Sequence, residues 1–473
     1  MKDFWKYFLL SFIVVVSTIF YFLKTDIGHQ NLGYLVENYL SKKTYNKIKV
    51  YSLNLESYPE LIIELQVNDR ANVTLKGKLD NYSIDMSYHL RGDSFYFNNI
   101  YLDDKIDVKG KLFGTFEELS VTGEGEIFNG VVDYKFVNTP KTVKKMVVNM
   151  SSVESSKVLA FLEEKAFING LANINMKFKR YSSYSKDGVV KIHIDRATTP
   201  QLKSLSAVLN STIYFQDMEY KYQGDITSDI LGRVIFNNGT YHEFKHIAYV
   251  DYESHFKNLS YFEDILKFKY QGSLDLNGTL IYNTTHKDFI IKGSTKQFKG
   301  DFSFFYRENM VDFKLKRVSL LHILNQLDYP ALFTSDIDGT ININLKDEIV
   351  IVNTNLKNTR FLASKFSEIL AKEREIDILS ETYNQSCFSA GYQNLKLSSS
   401  LKIDNGKSYI KLFDTTIDTL TKKIDSKFEI NMQGQQIYGE IYGDLKNPDF
   451  LIDKRRFIHH QTNKYISDLL GTE

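Results

Sequence analysis

Residues 318–345, VSLLHILNQLDYPALFTSDIDGTININL, change hydrophobic period partway along, and that change decides the fold class. Leu320, Ile323, Leu324 and Leu327 recur at i, i+3, i+4 and i+7, one apolar stripe on a short helix. Pro330 ends it, because the residue before a proline is pushed out of the helical region. From Thr340 the pattern becomes strict alternation. Ile341, Ile343 and Leu345 face one side of a strand, while Thr340, Asn342 and Asn344 face the other. A sheet with one apolar face has to bury that face against something.

The same order recurs upstream in residues 151–178, SSVESSKVLAFLEEKAFINGLANINMKF. Ser151 to Glu154 offers a capping box. Val158, Phe161 and Leu162 supply a helical stripe, and Gly170 precedes alternating Ile174, Met176 and Phe178. A second echo links YKYQGDITSDILGRVIF, 220–236, with FKYQGSLDLNGTLIYN, 268–283. Such repeats argue for stacked β units rather than one closed globule.

Between and around these stretches the period is two. It holds from Ile48 through Val50, Leu53, Leu61, Ile63, Leu65 and Val67, with Gly77, Gly92, Gly110, Gly114, Gly123, Gly125 and Gly130 as turn or bulge candidates. A longer helix is expected over 362–379, with Phe366, Ile369, Leu370 and Ile376 on one face. Strands resume at Tyr392 and run to Ile452. The basic cluster Lys454-Arg455-Arg456 then precedes a short terminal helix.

The chain opens on an uncharged apolar run between Lys6 and Lys24. Phe8, Leu9, Leu10, Phe12, Ile13, Val14, Val15, Val16, Ile19, Phe20, Phe22 and Leu23 form its apolar body. It is close to the minimum that crosses a bilayer, exceeds a usual signal-peptide core and lacks a small-residue cleavage site. An uncleaved anchor is expected, with Lys2 and Lys6 cytoplasmic and everything after Lys24 exported. Leu32, Leu35, Val36, Tyr39 and Leu40 then mark a connecting amphipathic helix. The expected organisation is a tail and anchor at 1–24, that helix at 25–46, a repeating β region at 47–360, a C-terminal module at 361–453 and a basic helix at 454–473.

Composition supports a large β protein. The 473 residues include 31 Tyr and 34 Phe but only five Pro, which suits long strands. A formal charge of +1 provides no basic field for nucleic acid. The single cysteine, Cys387, excludes an internal disulfide and reads as a small buried hydrophobe.

Catalytic signals are weak. His242-Glu243-Phe244-Lys245-His246 matches the H-E-x-x-H pattern of zinc proteases, which needs both histidines one helical turn apart. Here it follows the turn signal Asn238-Gly239 and runs into a β-rich segment. On a strand the two histidines would stand about 13 Å apart, too far to share one zinc. Asp336-Ile337-Asp338-Gly339 resembles half a calcium loop but lacks the closing carboxylate. His459 and His460 have no partner cluster. No phosphate loop, nucleophile elbow or dinucleotide fingerprint occurs. The expectation is a protein without catalytic residues, metal or cofactor.

The ends of the chain carry a resemblance. The anchor, Thr25-Asp26-Ile27-Gly28, and strands with G-x-L steps such as Gly77-Lys78-Leu79 are followed much later by Leu401 to Gly406, Thr415-Thr416-Ile417, Phe428 to Met432 and Ile441 to Pro448. In that order, with a terminal G-x-L-x-x-P, they resemble the AsmA-like family of Gram-negative envelope proteins. The resemblance implies a long curled antiparallel β-sheet with a hydrophobic groove, held in the inner membrane by one span with its bulk in the periplasm. It further implies phospholipid transport to the outer membrane as the function.

Residue patterning leads the same way. The few short helices cannot cover about 25 strands, which at ~4.8 Å each extend on the order of 120 Å. An uncovered apolar face either packs a second sheet or holds a greasy ligand. Ile174, Met176, Phe178, Leu274, Leu276, Leu280, Ile341, Ile343 and Leu345 are therefore the expected lipid-groove lining, with Leu320, Ile323, Leu324 and Leu327 as a plug or strap. Phospholipid, the inner membrane and an outer-membrane or periplasmic protein are the expected partners. The alternative is an assembly factor for outer-membrane proteins that offers free sheet edges.

Overall fold

The computed structural model describes residues 28–54, 59–80, 82–97, 100–199, 206–262, 271–327, 329, 331–374, 376–432 and 435–453. The expected anchor, the basic C-terminal segment with its two histidines, and Pro330 lie outside them. No helix among the described residues is long and apolar enough to cross a membrane.

The described chain is mainly β, with 28 strands and four α-helices: α1 Gly28–Thr44, α2 Ser155–Phe161, α3 Leu320–Gln326 and α4 Lys365–Arg374. It divides into two compact units, residues 1–229 with 233–247 and residues 230–232 with 248–473. In the first, strands from Ile48–Asn54 to Glu219–Ser228 pair antiparallel in chain order. The small hairpin Phe95–Phe97 with Ile100–Leu102 stands apart, so Ile84–Gly92 pairs directly with Ile106–Gly114. In the second unit, strands from Leu274–Asn283 to Asn447–Ile452 likewise pair antiparallel in chain order. Hairpin-linked antiparallel strands with one face buried are what the period of two requires.

The first strand is closed off by α1. Val36 and Leu40 are buried with Ile48, Leu61 and Leu65, whereas Leu35 points to solvent. The Ile48 N–H donates to Ser41 Oγ at 2.9 Å and the Val50 N–H to Glu37 Oε2 at 3.2 Å. Edge amides that would otherwise recruit another strand are thereby satisfied.

The two helix-to-strand stretches seen in the sequence have one local architecture, offset by 165 residues, as from Ser152 to Arg317. The strands Val143–Glu154 and Met310–Ser319 bulge between Met150 and Val153 and between Leu315 and Val318. Ser152 and Arg317 adopt positive φ, 55° and 52°. Their amides donate to the Asn173 and Asp338 side chains at 2.9 and 2.8 Å. Val153 and Val318 follow, both fully buried, and then α2 and α3. The bulge turns each strand, pairing resumes for two residues beyond it, and the helix starts after them.

Three sequence expectations change. Ser151 to Glu154 is strand, and Glu154 caps α2 without a side-chain bond, so there is no capping box. The expected long helix stops at Arg374. Ile376 and Ile378 are both fully buried in a non-helical segment, where alternation, not a helical stripe, brings them to the core. The 220–236 and 268–283 echo is not structural: Gly224 lies inside a strand, whereas Gly272 has φ 88° ahead of the strand Leu274–Asn283.

The glycines also differ from expectation. Gly77, Gly110, Gly123 and Gly125 sit inside strands, not at turns. Gly110 and Gly123 are register partners, flanked by Tyr88 and Tyr134 in the same cross-strand row. A Cβ on Gly123 would stand 2.4 Å from Tyr88 Oη and 2.5 Å from Tyr134 Cζ. The tyrosines occupy the space that side chains on the central pair would fill. Phe178 beside Gly188, Tyr222 beside Gly239 and Phe428 beside Gly439 repeat the device.

Candidate functional site

In the second unit the register builds a continuous apolar row across ten strands. Leu280 opposes Ile291, which opposes Tyr306, and the row continues through Val311, Ile343, Val350, Tyr392, Leu397, Ile417 and Ile424. Every member is half-buried. Gly293, Phe304, Phe313, Ile341, Val352 and Ala390 form the next row on the same face. The opposite face is polar, as in Asn342, whose Nδ2 donates to Asp312 Oδ1 at 2.6 Å.

The helix α3 rests on the apolar face at the end of the strands away from that row. Leu320 and Ile323 pack against Phe298, Leu315, Val318 and Ile337, and Leu274 and Ile341 join the same cluster. Leu324 is half-buried, as is Leu327, which forms the helix C-cap. Burial therefore falls along the strand Phe333–Asn344, from Ile337 at 6 % exposure under the helix to half-exposed Ile341 and Ile343. Leu276 and Leu280 share the face at intermediate exposure. Leu345 does not: the strand ends at Asn344, and Leu345 lies in the turn, 53 % exposed.

In the first unit Ile174 joins a cluster with Val158 and Phe161 of α2, around Val153, Ala172 and Ile194. Met176 is half-buried and Phe178 buried. Phe178 begins an aromatic ladder that sequence reading missed. Its ring lies 5.1 Å from Phe215, Phe215 lies 4.7 Å from Tyr220, and Tyr220 lies 5.6 Å from Tyr241. These residues come from separate strands, so only the register could reveal them. Burial pushes the Tyr222 hydroxyl, on the same face as Tyr220, up to about 12.

The ladder ends at the H-E-x-x-H stretch. Expected on a strand, it is instead the hairpin turn, with His242 the last strand residue, while Asn238-Gly239 lies within the strand Gly232–His242. The His246 amide donates to the His242 carbonyl at 3.0 Å, and His246 has φ 53°. The glutamate is engaged elsewhere: Lys186 Nζ donates to Glu243 Oε1 at 3.1 Å and to Tyr220 Oη at 2.6 Å. Burial opposes the charge on Glu243, but the Lys186 and Tyr220 hydrogen bonds outweigh it and hold the carboxyl below its usual range.

No group of three or more His, Cys, Asp or Glu among the described residues could hold a metal ion. The Asp336 to Gly339 segment is plain strand. Asp336 accepts from Asn358 Nδ2 at 2.8 Å and Asp338 pairs with Lys357 Nζ at 3.0 Å. Cys387 is exposed, not buried, because it falls on the polar face opposite Asn355 and Lys402. The G-x-L-x-x-P stretch forms the final described hairpin. Gly443, at φ 98°, lies within the strand Gln435–Asp444 opposite Pro448, which sits on the last described strand, Asn447–Ile452.

Compared with protein-family models, curated proteins and solved structures, the chain has no significant match.

Proposed function

We propose that this chain is an AsmA-like, inner-membrane-anchored periplasmic protein whose apolar sheet face holds and conducts phospholipid acyl chains between the inner and outer membranes. The observation that supports it most is the ten-strand row from Leu280 to Ile424, apolar in all its members and only half-buried. An ordinary core of this composition would be covered. Within the second unit every described strand from Leu274 onward belongs to the meander itself, so no separate second sheet accounts for that face. A row one side chain wide running across the strands suits a flexible hydrocarbon chain, which needs continuity rather than a shaped pocket. In the second unit α3 covers one end of the face and acts as a strap.

The edge-pairing alternative has less support, since the amides of Ile48 and Val50 on the first strand already have side-chain partners. Mass spectrometry of the purified exported region, handled without detergent, tests the reading: co-purifying phospholipid supports it and its absence overturns it. A photoreactive residue at Ile343 should crosslink to acyl chains, whereas one at Asn342, on the polar face, should not.

A further inference from the structure

The polar face of the first unit carries an open basin of about 670 Å³ between the strands Ala71–Leu79 and Val143–Glu154. Its lining includes the Gly110–Gly123 pair. One cross-strand row runs through it in register: Lys76, Ser87, Lys111, Thr122, Lys135. Cations and hydroxyls thus alternate strand by strand. The lysines stand about 9.6 Å apart at their Cα atoms, two strand spacings.

The charges of this basin are unevenly used. Of its two carboxylates, Glu124 pairs with Lys109 Nζ at 3.7 Å, while Asp133 accepts from the neutral Asn149 Nδ2 at 2.9 Å, so one negative charge stands against the three lysines. Lys76, Lys111 and Lys135 have no ion-pair partner among the described residues, and all three line the basin. Three like charges in one row repel, and a protein gains nothing for its own stability by aligning them. An anion with several charged oxygens would convert that repulsion into attraction, with Thr122 as an added donor.

We infer that this row is a binding site for a small polyanion carrying two or more linked phosphate groups. Adjacent lysines, with flexible four-carbon stems, can close on neighbouring phosphates that a single orthophosphate would not bridge. The site is on the polar face and does not depend on the acyl-chain reading.

The test is calorimetric titration of the full chain with inorganic tripolyphosphate and with orthophosphate at low salt. Tripolyphosphate should bind at one site, more tightly than orthophosphate and less tightly as salt rises. Lys111→Ala should weaken it about tenfold or more, Lys111→Arg should retain it, and Lys191→Ala, on the same polar face away from the row, should leave it unchanged. Equal weak uptake of both anions, or affinity indifferent to Lys111→Ala, would overturn the inference. Vesicles containing a lipid with a diphosphate headgroup separate the sources. Competition with tripolyphosphate identifies a lipid headgroup, and its absence identifies a soluble ligand. Vesicle binding without any tripolyphosphate binding would mean a diffuse membrane contact and would also overturn it.

Discussion

Tyr88 and Tyr134 meet hydroxyl to hydroxyl although two strands separate theirs, because the residues between them in the row are Gly110 and Gly123. The Tyr88 hydroxyl also reaches the Thr122 carbonyl at 3.1 Å. Glycine is required here for space. Gly123→Ala would drive a methyl into both rings and should destabilise the first unit by about 2–3 kcal/mol, read as a lower urea midpoint. Tyr88→Phe removes only the hydroxyl contacts and should cost about 1 kcal/mol.

Burial raises the Tyr222 pKa to about 12 against an ordinary value of 10.0. The unfolded chain then releases this proton first. Its contribution to stability is complete below pH 10 and is lost as the pH rises through 12. Thermal midpoints should therefore fall more steeply across that window in the wild type than in Tyr222→Phe. Parallel curves would show that Tyr222 ionises as freely folded as unfolded.

The Asp338 carboxylate holds a bulge. It is kept below its ordinary pKa by the hydrogen bond from Lys357 and by the Arg317 amide, although burial works against it. A lowered value means that its stabilisation is present above the ordinary carboxylate range and is lost as the pH falls through the folded value. Asp338→Ala should destabilise the second unit by about 1–2 kcal/mol at neutral pH and flatten its acid limb. Asn173→Ala, at the equivalent bulge of the first unit, should cost a similar amount without changing the acid limb, since an amide does not titrate.

Period alone made the element types legible. The stripe Leu320 to Leu327 became a helix, and the alternation around Ile341 became a strand. Single residues were harder wherever their meaning depends on a partner strand. Gly123 looks like a turn glycine until Tyr134 is known to be its neighbour. Ser152 and Arg317 carry no sign of left-handed backbone, because the stabilising amide acceptors lie 21 residues downstream. Leu345 continued the alternation perfectly, but the hairpin closed one residue earlier. The lysine row is the extreme case. Each lysine is an ordinary outward residue of its own strand, and only the register aligns them.

The same dependence on local backbone makes Leu395 a test of whether an exposed leucine is tolerated or tuned. It occupies the two-residue turn Asn394-Leu395 between the strands Ser386–Gln393 and Lys396–Asp404, with φ values of 52° and 63°. Such turns favour Asn followed by Gly, because a Cβ is strained in the left-handed region. Leu395 is 43 % exposed, so packing offsets little of that strain. Its carbonyl, which accepts from the Thr419 amide at 3.0 Å, would survive substitution. Leu395→Gly should therefore raise stability by about 1 kcal/mol, as a higher urea midpoint for the second unit. An unchanged or lower midpoint would mean that Leu395 makes contacts that offset the strain.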